Sequence, residues 1–381
     1  MKLRVLKHFV LKKVLVLTSA FGLAISAQAT NLVSVQTLAS QGYASAQYTL
    51  AAMYQEGNGV PQDLEKAIFW YKKAAEQGSP DAQYNLGAIY ELGLGVNEDH
   101  IKAAEWYTKA AVQGDDSAQL QLAMLYDSGL GVKQDFKQAY QWYLKAADQE
   151  NSDAQNNIGV LYETGSGVNQ DYAKAAQWYK KAADHGNITA QNNLGQFYEK
   201  GMGVDQDYSK AFYWINKSAI QGNDAAQSNL GYLYENGFGV ERDYVKAAHW
   251  YQKSVDQGNA LAKAGLGYAY YAAQGVDQNY SMALKLLQES ADDNEAFGQN
   301  NLGVVYLEGK ALPQNYAKAH ALFQKAAAQN NAYAQRNLGI MYTRAWGVKR
   351  NMKEAMKWFD LACKNGDEYG CLGFTMAQNE P

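Results

Sequence analysis

The sequence predicts an all-α fold, a right-handed α/α superhelix (solenoid) of nine 36-residue helix-turn-helix repeats. Three observations predict it. One residue pattern returns every 36 positions across 43–366 without insertion or deletion. Apolar residues within each copy recur at helical spacing, and a Gly-x-Gly-Val turn interrupts most copies at the same place.

Ahead of the repeats, Lys2, Arg4, Lys7, Lys12 and Lys13 precede a short apolar stretch, Val14 to Ile25, and Ala27-Gln28-Ala29 fits the small-x-small cleavage rule. Residues 1–29 therefore read as a secretory signal peptide cut after Ala29. The apolar run is short for a bilayer span, and no cysteine follows it as a lipoprotein signal would require. Cleavage removes five of the 34 Lys+Arg and none of the 38 Asp+Glu, leaving a net charge of −9. Nucleic-acid binding relies on cations against phosphates, and docking on anionic lipid needs them too, so an acidic exported chain is suited to neither. Stable membrane insertion of the mature chain is not expected.

Residues 30–42 are expected to cap the first repeat. In the copy that begins at Ser79, Ala82, Leu86, Ile89 and Tyr90 form one face of a first helix, and Ala103, Trp106, Tyr107, Ala110 and Ala111 one face of a second. Gly93 and Gly95 separate them, since glycine accepts the positive φ at which a helix ends. Asp99 then opens the second helix; Asp or Asn recurs there in every copy and can cap free backbone N–H groups. Tyrosine at positions 54 to 342 and alanine at 67 to 355 recur in all nine copies. Gly87 and its equivalents remove a side chain from the middle of the first helix, at a propensity cost of about 1 kcal/mol each. The tryptophans, Trp106 and its equivalents, are the expected occupants of that space. Stacked copies bury such rings where a lone pair of helices cannot. Residues 367–381 are expected to cap the other end.

The pattern A-x-x-N-L-G-x-x-Y-x-x-G-x-G-V-x-x-D-x-x-K-A-x-x-W-Y-x-K-A-A-x-x-G resembles the Sel-one-like repeat family, a relative of the tetratricopeptide repeat, over nearly the whole mature chain. The resemblance implies an adaptor or scaffold for other proteins, and for exported bacterial members a part in envelope processes or host contact. Cysteine-rich secreted members carry a C-x7-C pair in each repeat. Here Cys363 and Cys371 form one such pair, between the end of a second helix and the following first helix. The register and an oxidising compartment both favour a disulfide there. Some cysteine-rich relatives have been described as penicillin-binding or β-lactamase-like, but this chain has no Ser-x-x-Lys and no Lys-Thr-Gly. No enzyme and no cofactor are expected.

Other candidate chemistry is weak. His100, His185, His249 and His320 fall at unrelated positions, make no i, i+4 pair, and read as solvated surface side chains. The Gly-x-Gly turns join helices and do not follow a strand, which excludes a dinucleotide loop. Asn85, Asn157, Asn193, Asn229, Asn301 and Asn337 recur on the first helix. Such a ladder suits either bonding between neighbouring repeats or the backbone of an extended peptide, and its regularity favours the first.

Specificity is therefore sought where the copies differ. Just before the asparagine the chain carries Tyr84, Asn156, Asn192, Asn300 and Arg336; three residues after it, Gln196, Tyr232 and Tyr268. These eight are the candidate protein-binding residues, on the helix that lines the concave side of a helix-pair superhelix. Loop residues Leu94, Leu130, Met202, Phe238 and Trp346 form a second candidate patch. The expected molecule is a periplasmic or secreted monomer that holds a protein or peptide in its groove. A carbohydrate- or peptidoglycan-associated envelope factor, using tyrosines for stacking, is the alternative.

The seventh copy departs from the pattern through Gly265, Ala273 and Leu286, and the eighth through Leu322. The loss of two tryptophans should soften the stack across 259–330, read as faster amide hydrogen exchange there than in 43–258; uniform protection would contradict it.

Overall fold

The computed structural model describes residues 28–378. The leader lies outside the described residues except for its last two positions, and residues 379–381 lie outside them as well. Among the described residues there are twenty α-helices and no strand, in two compact units that divide between Asn187 and Ile188. The first unit holds α1 (Gln28–Ser40), α2 (Ala44–Glu56), α3 (Leu64–Glu76), α4 (Pro80–Leu92), α5 (His100–Val112), α6 (Asp116–Ser128), α7 (Phe136–Ala147), α8 (Ser152–Thr164) and α9 (Tyr172–Asp184). The second holds α10 (Ile188–Lys200), α11 (Tyr208–Ala219), α12 (Asp224–Asn236), α13 (Tyr244–Val255), α14 (Ala260–Ala272), α15 (Tyr280–Asp292), α16 (Ala296–Glu308), α17 (Tyr316–Ala328), α18 (Ala332–Arg344), α19 (Met352–Lys364) and α20 (Glu368–Gln378). Within each unit successive helices pack as pairs in tandem, the arrangement of a solenoid. Helix α1 packs on α2 and α20 on α19, closing the first and last pairs.

Local chemistry sets the helix ends. The side chains of Asp63, Asp99, Asp171, Asp207 and Asp243 each accept a bond from the backbone N–H three residues on, at 2.9–3.0 Å, and Asn279, Asn315 and Asn351 do the same for α15, α17 and α19. First helices end at a residue in the left-handed region, Gly93 in α4 for example at φ 67°. After α14 and α18 that residue is alanine, Ala273 at φ 57° and Ala345 at φ 56°.

Close helix approach depends on the mid-helix glycines. A Cβ on Gly87 would lie 2.5 Å from Cδ1 of Tyr107, one on Gly159 2.6 Å from Tyr179 and one on Gly231 2.7 Å from Tyr251. The space is thus filled by the residue after the tryptophan, which corrects the expectation from sequence. On a helix, neighbours in sequence point about 100° apart. The tyrosine faces its own first helix, and the tryptophan faces the adjoining pair. Trp106 accordingly packs against two successive apolar clusters, as does Trp142, and both are half-buried. A lysine three residues on covers the outer ring face, with Lys109 Nζ 3.9 Å from the Trp106 ring centroid and Lys145 Nζ 3.8 Å from that of Trp142. The first and third copies carry Ala51 and Ala123 at the glycine position, packed with Tyr71 and Tyr143.

A second ladder joins the pairs through buried glutamines. Gln83 donates from Nε2 to the Ala75 carbonyl of the preceding pair at 3.0 Å, and accepts from Gln113 Nε2 at 2.7 Å. Gln47, Gln119 and Gln227 repeat this arrangement. In the seventh copy both members change together, and Lys263 Nζ meets Asp293 Oδ2 at 3.0 Å. The copy that lost its tryptophan also gains a bond to its neighbour, Tyr271 Oη donating to Glu308 Oε2 at 2.7 Å.

The candidate loop patch is drawn inward. Phe238 stacks on Tyr208 with centroids 4.5 Å apart, and Trp346 on Tyr316 at 5.9 Å. Leu94 and Leu130 join apolar clusters. Of the four histidines, His100 and His320 are half-buried, which departs from the surface reading: His100 Nε2 lies 3.1 Å from Glu98, and His320 meets Tyr342 edge-on. Cys363 and Cys371 are joined by a disulfide, with Cα atoms 4.5 Å apart, linking α19 to α20.

An L-residue in the left-handed region costs about 1 kcal/mol over glycine. Ala273→Gly should therefore stabilise the fold by about that amount, and Gly237→Ala destabilise it similarly, as measured by urea unfolding.

Candidate functional site

First helices in the second unit present one face to a shared hollow. Residues spaced by three, four and seven lie on one side of a helix, so Ser228, Tyr232 and Glu235 of α12 align, as do Leu261, Gly265 and Tyr268 of α14. With Gln196 and Glu199 of α10, Asn300 and Val304 of α16, and Tyr333 and Arg336 of α18, they line a cavity of about 710 Å³. One lining residue comes from a second helix. Tyr251 of α13 reaches the cavity past Gly265, where a Cβ would stand 2.7 Å from its Cζ. Glycine replaces the ladder asparagine at that point, and the missing side chain both seats the tyrosine and keeps the hollow open.

Five of the eight candidate residues, Gln196, Tyr232, Tyr268, Asn300 and Arg336, line this cavity. The other three do not. Tyr84 belongs to the first unit and is 2 % exposed, its ring 5.7 Å from that of Tyr107. Asn156, also in the first unit, is buried and donates to Asn157 Oδ1 at 3.3 Å. Asn192 is buried and accepts from Asn229 Nδ2 of the next pair at 2.9 Å. Asn337 donates to Asn300 in the same way at 3.0 Å. These ladder carboxamides bond between neighbouring repeats, which leaves them less capacity for a ligand.

Charge is divided within the hollow. Arg336 Nη1 donates to Asp367 Oδ1 at 3.0 Å, and the guanidinium lies 5.4 Å from the Tyr333 ring. Glu199 and Glu235 lie on the first helices of adjacent repeats. In each of five copies the second helix carries a tyrosine that donates to the side chain in this column: Tyr71 to Gln55 at 2.8 Å, Tyr107 to Glu91 at 2.7 Å, Tyr143 to Asp127 at 3.4 Å, Tyr179 to Glu163, and Tyr251 to Glu235 at 2.6 Å. The residue sixteen after Glu199 is Ile215, which fills the space over Gly195 but has no hydroxyl. No hydrogen bond or ion pair reaches the Glu199 carboxylate among the described residues, and burial holds its carboxyl above the ordinary value, with Lys200 opposing. Burial raises Glu235 too, against the bond from Tyr251. Burial likewise pushes the Tyr232 hydroxyl well above its ordinary value, and Tyr333, Glu199 and Glu235 add to the effect. Tyr232 therefore stays a neutral hydroxyl between two carboxylates.

The residues that sequence comparison of the copies missed are Glu199, Glu235 and Tyr251. Glutamate recurs in this column at 91, 163, 199 and 235, so Glu199 does not stand out there, and the signal that singles it out is the change to Ile215 on another helix. Among the described residues, no group of three or more His, Cys, Asp or Glu is placed to hold a metal, and no helix is long and apolar enough to cross a membrane.

Comparison with known proteins identifies the repeat. The Sel1 repeat family model matches nine consecutive segments from 44–79 to 332–367. A protective antigen of uropathogenic Escherichia coli with an SLR fold, c5321, is 35% identical with a TM-score of 0.61, over 90% of this chain and 82% of that one. A Sel1 repeat protein from Oxalobacter formigenes is 31% identical with a TM-score of 0.58, over 64% of this chain and 96% of that one. A search of curated proteins gives no match.

Because the folded state raises Glu199 above its ordinary 4.5, the unfolded chain ionises this group more readily, and above that pH the residue destabilises the fold. Below it the carboxyl is neutral in both states and the effect is gone. Glu199→Gln should raise the thermal midpoint near neutrality, with the gain shrinking to nothing as pH falls below 4.5; a gain that persists in acid would contradict this.

Proposed function

The chain belongs to the Sel1-repeat family, and on that footing we propose that it is an exported scaffold that binds a protein partner along the first-helix face of residues 188–381. Sel1-repeat proteins are non-catalytic repeat scaffolds that generally bind other proteins. The observation that carries the proposal here is the cavity of about 710 Å³. Its walls combine tyrosines with carboxamides and a few charges, the mixture that anchors protein segments. It is also built where the copies differ, which is how a repeat array acquires selectivity without changing its frame.

Export rests on the leader pattern of residues 1–29 and on the Cys363–Cys371 disulfide, since such bonds persist in oxidising compartments. The similar E. coli chain is a protective antigen, which accords with a place outside the cytoplasm. The cavity's aromatic content suits an extended peptide, whose backbone can use the neutral hydroxyls of Tyr232 and Tyr268 as donors. The cell-wall reading remains the alternative because the same rings can stack on sugars.

Capture from native envelope extract by the mature chain is the direct test. The Tyr232→Ala/Tyr268→Ala variant should retain a specific protein about tenfold less well. Tyr213→Ala, which alters a side chain 55 % exposed outside the cavity, should have no effect. Retention of cell-wall fragments without any protein would favour the alternative.

A further inference from the structure

We propose that Glu199 and Glu235 form a cation-accepting subsite, so that the partner segment held by the second unit is an extended peptide carrying an arginine or lysine side chain at that point. The inference rests on the groove reading above and specifies the chemistry of its occupant.

Four features of the cavity carry it. First, Glu199 is partly desolvated and its carboxylate receives no hydrogen bond among the described residues; the only charge that offsets its burial is that of Lys200, its neighbour in sequence. The tyrosine that serves this column in other copies is replaced by Ile215, which preserves the packing against Gly195 and deletes only the donor. A half-buried carboxylate facing a hollow is stabilised by a cation or hydrogen-bond donor supplied from outside. Second, Glu235 opens onto the same cavity one repeat away with a single donor, the Tyr251 hydroxyl. Glu199, Tyr232 and Glu235 all line this one cavity.

Third, Ser228 lies in the wall of the same cavity, 1 % exposed, and its Oγ has no hydrogen-bond partner. At 254 and 290, serines on second helices find backbone acceptors at 2.7 Å, whereas the Ser228 hydroxyl, buried in the cavity wall, has no partner. A buried hydroxyl of this kind calls for a ligand group, and a peptide N–H or C=O supplies one. Fourth, the cavity walls between these points are aromatic, with Tyr232, Tyr268 and Tyr333 suited to the stem and flanking residues of a basic side chain. Arg336 faces the cavity from α18 with its guanidinium already bonded to Asp367, so positive charge is disfavoured at that side. The divided charge gives the groove a direction along which a segment can be read.

The test is a selection from a random nonapeptide library displayed on phage, using the full mature chain, against bare matrix and three variants. Wild type should enrich peptides with an Arg or Lys at a fixed place among apolar or aromatic residues. For a selected peptide, replacing that residue by citrulline or glutamine should weaken binding roughly tenfold or more, the scale of a lost charge-assisted bond. Glu199→Gln/Glu235→Gln, which keeps shape and removes charge, should abolish that difference while its thermal unfolding shows a folded protein. Ser228→Ala should weaken every selected peptide, whatever its charge. If the enriched peptides lack a basic residue, or the preference survives in the double glutamine variant, the subsite is overturned while the groove reading stands. If no peptide is enriched over bare matrix, or enrichment is unaffected by Tyr232→Ala/Tyr268→Ala, the groove reading fails and the subsite with it.

Discussion

Everything in this chain depends on how closely the two helices of a repeat can approach, and that distance is set by a side chain that is missing. In seven of the nine copies a glycine in the first helix admits the ring or branched chain projected by the second, with no room left for a Cβ, and in the other two the residue is alanine. The helical cost of glycine, about 1 kcal/mol, is small beside the burial of a whole tyrosine or phenylalanine side chain. Once this contact fixes the pair, the tryptophan one residue earlier is turned toward the next pair, and the buried glutamine is positioned to bond a carbonyl across the same junction. Stacking thus follows from a contact made inside each repeat.

The regular frame was legible in the sequence because every element of it recurs at one period. The caps at Asp99 and its equivalents and the left-handed glycine at the end of most first helices are local chemistry, visible without knowledge of any neighbour. The occupant of the glycine gap was not legible. Trp106 and Tyr107 are adjacent, both are large, and periodicity does not say which of two neighbouring faces meets its own partner helix. The glutamine ladder was missed for a similar reason: its members lie thirty residues apart, and a polar residue in a repeating column gives no sign of burial.

The candidate site was legible in part. Variation between copies pointed to Tyr232, Tyr268 and Arg336, all of which line the cavity. The same reasoning chose Tyr84, which the fold buries against Tyr107, because variation at a position marks freedom from the repeat pattern and does not mark exposure. Glu199 escaped notice because its character is decided by Ile215. A residue that several copies share became distinctive when its partner changed, and only the fold reveals which residues are partners.

The bond between Tyr271 and Glu308 bears on assembly. Nine similar copies invite the chain to stack out of step, with a helix pair docking one repeat too far along. In such a slipped arrangement Tyr271 would face Arg344, the equivalent of Glu308 in the following copy, and arginine has no acceptor to offer a phenol. The departure from consensus in the seventh repeat therefore acts as a register mark, penalising misalignment that the eight more regular copies would tolerate.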